Sequence, residues 1–141
     1  MKILLAPDVY VNASVAGAGL APAQVVDRVL GNKQLRHKTS DWVLDMTEAM
    51  LRAHPHFKQE AVGQQMKLIR DLVDVVEPED HAGDDWGAAL VAAARAANVT
   101  RVITDHPDLA DKDEIDGVEF LSSDAWMIEQ TIPPPPPPKK V

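Results

Sequence analysis

The stretch DDWGAALVAAARAANVTRVIT, Asp84 to Thr104, sets a helix directly in front of a strand. From Asp84 to Asn98 it is alanine-rich, seven of fifteen residues, the strongest helix-forming composition in the chain. Asp84 or Asp85 is placed to cap its start and Asn98 to end it. Arg101-Val-Ile-Thr104 then reads as a short buried strand. Upstream, Val73-Asp-Val-Val76, stopped by Pro78, reads as another. Two strands separated by a whole helix are too far apart for a hairpin, so the unit predicts a crossover and parallel pairing.

The rest of the chain repeats this alternation. Lys2-Ile-Leu-Leu5, followed by Val9-Tyr-Val11, predicts a buried opening strand with a loop at Pro7-Asp8 and Pro7 at the strand's end. Pro22 and Gly31 bracket a short amphipathic helix carrying Val25, Val26, Val29 and Leu30 on one face. Thr39 or Ser40 can cap a helix in which Trp42, Val43, Met46, Met50 and Leu51 recur at helical spacing until His54-Pro55. A further helix spans Gln59 to Leu72, with Val62, Met66 and Ile69 inward. Val118-Glu-Phe-Leu121 supplies another strand, and Ser122 or Ser123 caps a last helix through Ala125, Trp126, Met127 and Ile128. The pattern predicts one α/β domain over residues 1–131, a three-layer α/β/α arrangement with a central, mostly parallel sheet.

Composition narrows the function classes. The chain has 141 residues, 45% of them apolar, enough to bury a core. It has no cysteine, which excludes disulfides, thiolate metal sites and cysteine nucleophiles. No apolar run approaches the ~20 residues of a membrane span. The apolar stretch in MKILL is too short for a signal peptide, so the expectation is a cytoplasmic chain. Asp+Glu number 22 against 14 Lys+Arg, a formal charge of −8. That balance disfavours broad nucleic-acid binding, because no basic stripe is present to release counterions.

Residues 132–141 differ in kind. Pro133, Pro134, Pro135, Pro136, Pro137 and Pro138 run unbroken into Lys139 and Lys140. Such a run lacks amide donors for sheet or helix and predicts a stiff polyproline II rod, roughly 3.1 Å per residue. Lys139 and Lys140 account for two of the 14 basic residues, so the body holds 12 against 22 acids, a net of −10. The tail is the basic end of an acidic protein.

Ligands of open parallel sheets bind at the carboxyl ends of the strands. Acids gather in the corresponding segments: Asp8 after the first strand, Asp45 and Glu48 on the Trp42 helix, Asp84 and Asp85 before the alanine-rich helix, Asp105 and Asp108 after Ile103. Converging carboxylates suit Mg²⁺ or Mn²⁺, and a metal-held water is the nucleophile of a phosphodiester hydrolase. Aspartates at strand ends and helix starts are also ordinary turn and capping residues.

The order and wording of Leu5-Ala-Pro-Asp-Val-Tyr-Val-Asn-Ala13, Ala21-Pro-Ala-Gln-Val-Val26, Val102-Ile-Thr-Asp-His-Pro-Asp-Leu109 and Gly117-Val-Glu-Phe-Leu-Ser-Ser123 resemble a PIN domain. The similarity is to the toxin members of toxin–antitoxin pairs and covers the chain to about Gln130. The resemblance implies the three-layer fold and, for active members, a metal-dependent ribonuclease with three or four acidic residues. This chain departs from that pattern at each acid. Ala6 stands where the first ligand Asp belongs, with Asp8 in place of the following Asn. The inward Glu of the second helix falls on or beside Met46, leaving Asp45 one position off, by about 100° around the helix. The third acid falls at Gly87 or Ala88 unless an insertion lets Asp84 or Asp85 replace it. The family's Thr-Gly-Asp-x-Asp-Leu reads here Thr104-Asp-His-Pro-Asp-Leu109, with His106 at the principal acidic position and Asp108 at the second.

A carboxylate moved by one residue points to another face, and metal hydrolysis has steep geometric demands. The expectation is a degenerate, non-catalytic PIN-like protein with no metal or other cofactor. Ala6, Met46, Ala88 and His106 mark the former site. The tail would then be a ligand for a protein with a proline-recognising module of SH3, WW, EVH1 or GYF type, with Lys139 and Lys140 setting orientation. The tail could equally be a passive spacer. The alternative is an endoribonuclease in which Asp8, Asp45, Asp84, Asp85, Asp105 and Asp108 rebuild a shifted cluster. In that case Asp8, Asp85, Asp105 and Asp108 would bind Mg²⁺ or Mn²⁺ and RNA would be the substrate. PIN domains often pair, so the resemblance also allows a homodimer through an exposed face of the Trp42 helix, which the sequence itself does not show. His54 and His56 read as exposed loop residues, and Trp42, Trp86 and Trp126 as packing residues.

Overall fold

The chain enters the core at once. In the computed structural model, which describes residues 3–15, 19–31, 36–78, 85–110 and 114–131, strand β1 (Ile3–Leu5) is buried throughout and leads into helix α1 (Pro7–Val15). This corrects the expectation of a loop at Pro7-Asp8: the strand ends just before Pro7, as expected, but Pro7 and Asp8 lie in a helix that also takes in the strand-forming Val9, Tyr10 and Val11. Pro7 opens the helix, where its missing N–H costs nothing and its fixed φ suits the first turn. Residues Pro7 to Val11 are all buried, so tertiary packing outweighs the strand propensity of Val9, Tyr10 and Val11.

Next come α2 (Ala21–Leu30), β2 (His37–Ser40), α3 (Asp41–Ala53), α4 (Gln59–Leu72) and β3 (Val73–Val76). They are followed by α5 (Trp86–Ala96), β4 (Arg101–Ile103), β5 (Glu119–Leu121) and α6 (Ser123–Thr131). The fold is mixed α/β. Every pairing between these strands is parallel, but among the described residues the hydrogen bonding forms two short sheets where one was expected, with a lone antiparallel bridge between Ile115 and Val118. β1, β4 and β5 pair in the order β1-β4-β5, and β2 pairs with β3. β1 also lies beside β2, so the two sheets adjoin.

Strand β2 has no apolar run. Its residues are His, Lys, Thr and Ser, and three of the four are buried. Pairing with β3 in register His37↔Val73 to Ser40↔Val76 satisfies its backbone, which is why a search for apolar runs passes over it. Arg36 reinforces the junction, its guanidinium donating to the carbonyl of Val73 at 2.9 Å and to Asp74 Oδ1 at 2.7 Å.

Helix ends follow local chemistry. Ser40 Oγ accepts from the N–H of Val43 at 3.2 Å, Asp85 Oδ1 from that of Gly87 at 3.0 Å, and Ser122 Oγ from that of Ala125 at 3.1 Å. Asn98 ends α5 in the left-handed conformation, φ 57°. Its N–H donates to Arg95 O, and that of Val99 to Ala94 O at 2.9 Å, the paired bonds of a Schellman stop.

Helix α5 packs on β1, β2 and β4, burying Ala89, Leu90, Val91, Ala93 and Ala94. Small side chains let the helix approach closely. Helix α6 starts beyond the carboxyl end of β5 and runs back to the opposite edge. There Glu129 takes a two-pronged bond from Arg101, the first residue of β4, at 2.8 and 2.6 Å. Among the described residues no helix is long and apolar enough to cross a membrane. Asp84 and residues 132–141 lie outside the described residues.

Candidate functional site

Parallel strands place the segments after β1, β4 and β5 at one edge, and two acids meet there. Asp8, in the first turn of α1, is 8% exposed. The hydroxyl of Thr104 donates to its Oδ1 at 2.8 Å, and the N–H of Asp105 to its Oδ2 at 2.6 Å. Asp105 reaches in turn across β5. The N–H of Ser123 donates to Asp105 Oδ1 at 2.8 Å, and the Ser123 hydroxyl bonds to Oδ2. The chain of bonds stitches α1, the turn after β4 and the start of α6. Burial raises the pKa of Asp8, against the two bonds that favour its charge, and the neighbouring Asp105 carboxylate adds to the rise.

Beside these acids lies a row of rings. Trp42, in the first turn of α3, meets Trp86, the first residue of α5, edge to face at 5.7 Å between centroids and 87° between planes. Trp86 meets His106 at 5.1 Å and 44°. The N–H of Asp108 donates to His106 Nδ1 at 3.2 Å. All three rings are half-buried, and the two indoles pack against the core.

The remaining acids disperse. Asp45 is exposed and faces Arg70 at 3.6 Å, as Asp41 does at 3.9 Å. Asp85 caps α5, and Asp108 is exposed. Of the positions marked as the former site, Ala6 is wholly buried and its N–H donates to Ile103 O at 2.9 Å, continuing the β1 ladder. Met46 and His106 are half-buried, and Ala88 is exposed.

A hard dication needs several converging oxygens with free lone pairs. Among the described residues no three His, Asp or Glu side chains are grouped to hold one. The oxygens of Asp8 and Asp105 are each engaged by a protein donor. The described donors therefore do not fit the metal set that the family resemblance implies. Thr104 and Ser123, which complete the carboxylate cluster, were not singled out by the sequence. Their signal is modest, a hydroxyl residue just past a strand beside an acid.

A scan against protein-family models finds no match, and searches of curated proteins and of solved structures find none.

Proposed function

We propose that the chain is a PIN-like protein without the family's usual metal centre, acting through protein–protein contact. In this reading residues 132–141 are the ligand, offered to a partner with an aromatic-lined, proline-recognising groove. One observation carries the non-catalytic half. Asp8 and Asp105, the two acids that meet at the carboxyl edge, spend their oxygens on Thr104, Ser123 and backbone N–H groups. They act as structural staples joining α1, β4 and α6. The parallel order β1-β4-β5, with β2-β3 alongside and α5 packed across both, supports the three-layer PIN-like arrangement. The acidic body and basic tail support recognition by charge as well as by shape.

The adjacency of Asp8 and Asp105 is also what favours a second reading, a Mg²⁺- or Mn²⁺-dependent endoribonuclease. A paired experiment separates the two. The full chain is passed over purified SH3, WW, EVH1 and GYF modules, beside a variant with Pro133 to Pro138 changed to serine. Both proteins are also incubated with single-stranded and structured RNA in Mn²⁺. The interaction reading expects capture by at least one module, loss of capture in the serine variant, and intact RNA. RNA cleavage that disappears in Asp105→Asn or Asp108→Asn would overturn it in favour of the enzyme.

A further inference from the structure

Modules that read polyproline do so with aromatic side chains flanked by acids, and this chain presents both at one edge. Indole faces pack on proline rings, and carboxylates pair with neighbouring lysines. Trp42 and Trp86 stand at right angles, half-buried, with His106 extending the row. Exposed acids border each ring. Asp45 lies one helical turn from Trp42, Asp85 immediately precedes Trp86, and Asp108 bonds to His106 through its N–H. The segment that fits this edge belongs to the same sequence, six prolines followed by Lys139 and Lys140.

We propose that the Trp42–Trp86–His106 row is a docking site for residues 132–141 of a second copy of this chain. The inference rests on the reading of the tail as a ligand and names its partner. The direction of α6 argues for a second copy. The helix starts at the edge that bears the ring row and ends at the opposite edge, where Glu129 is clasped by Arg101. The described chain therefore ends, at Thr131, on the far side of the sheet from the ring row. A run of six prolines favours a stiff, extended polyproline II conformation, about 19 Å long at roughly 3.1 Å each. A stiff segment joined to that end reaches the ring row of another molecule more readily than it reverses onto its own. Charge favours the same contact, since the tail carries +2 and the body −10. The contact is heterologous, tail to ring row, so each molecule still offers one free tail and one free row. Assembly then continues past a dimer unless a ring closes.

Sedimentation of the full chain tests this through complementation. The wild type should grow in mass with concentration and pass beyond a dimer. Trp86→Ala keeps the tail and loses the row; the variant with Pro133 to Pro138 changed to serine keeps the row and loses the rod. Each should sediment as a monomer with wild-type circular dichroism, and an equimolar mixture should form a 1:1 dimer. A synthetic peptide of residues 132–141 added to the wild type should dissolve its oligomers, while a peptide with alanines for prolines should not. The peptide arm decides the matter if Trp86→Ala does not fold. A wild type that stays monomeric to roughly 1 mM, the weak end of specific association, overturns the inference. So does self-association of the serine variant, a mixture of two folded variants that stays monomeric, or oligomers indifferent to the proline peptide. A monomeric wild type still captured by a purified SH3- or WW-type module defeats this inference while leaving the reading it rests on intact.

Discussion

The Thr104 hydroxyl donates to the buried carboxylate of Asp8 across 96 positions of sequence, at 2.8 Å. The bond fixes the first turn of α1 against the end of β4, and the Asp105 N–H completes it on the other oxygen. Asp8 thus answers two donors from inside the core, where a charge is costly and an empty site is also costly.

The two costs can be separated by substitution. Asp8→Asn keeps an oxygen for the Asp105 N–H, and its amide can donate to Thr104 Oγ1, so both links survive without the buried charge. Asp8→Ala strands both donors, at about 1–3 kcal/mol for each unsatisfied buried group. Urea melts at pH 7 should place Asp8→Asn within about 1 kcal/mol of the parent and Asp8→Ala at least that much below Asp8→Asn. Equal destabilisation by the two would contradict the staple role.

His37 sets an acid limit on stability. It is buried in β2, and burial pulls its pKa from 6.5 down to about 4. The unfolded chain takes up the proton below pH 6.5 and the folded chain only near 4, so this group's contribution is whole above 6.5 and lost as pH falls towards 4. The size at stake is about 3 kcal/mol, at 1.36 kcal/mol per pH unit. Asp8, whose pKa is raised, runs the other way: the fold gains as its carboxyl protonates and loses as pH rises through the folded pKa. Thermal melts between pH 7 and 4.5 should fall less steeply for His37→Leu than for the parent. An unchanged slope would mean that His37 does not titrate in this window.

Asn98 tests the stop of α5. At φ 57° a β-branched residue is strained, whereas glycine is at ease. Asn98→Gly should hold stability within a few tenths of a kcal/mol, and Asn98→Val should lose about 1–2 kcal/mol. Chemical denaturation of the two variants beside the parent reads the difference directly, and a tolerant Asn98→Val would show that α5 ends for other reasons.

What was legible in the sequence follows from which signals are local. The helices over Ala21–Leu30 and Gln59–Leu72 and the strand Val73–Val76 are written in periodicity, and Ser40 and Asp85 in capping chemistry. β2 was illegible because its stability comes from the ladder to Val73–Val76 and from burial of polar side chains, neither of which leaves an apolar pattern. The segment Val9–Val11 misled because strand-forming side chains also fill a wholly buried helix turn. At the candidate site the acids could be named one by one. That Asp8 would find Thr104, Asp105 would find Ser123, and Trp42 would find Trp86 depends on contacts between distant elements.

The ladder between β1 and β4 also bears on the order in which the molecule is made. Leu4 has its partner in Val102, so β1 leaves the ribosome 98 positions ahead of the residue that pairs with it. β2 and β3, joined through α3 and α4, can associate much earlier. Ile3, Leu4 and Leu5, buried in the finished fold, spend that interval without their ladder. Closing so long a loop is entropically slow. During synthesis the hazard lies at β1, and completion of β4 ends it.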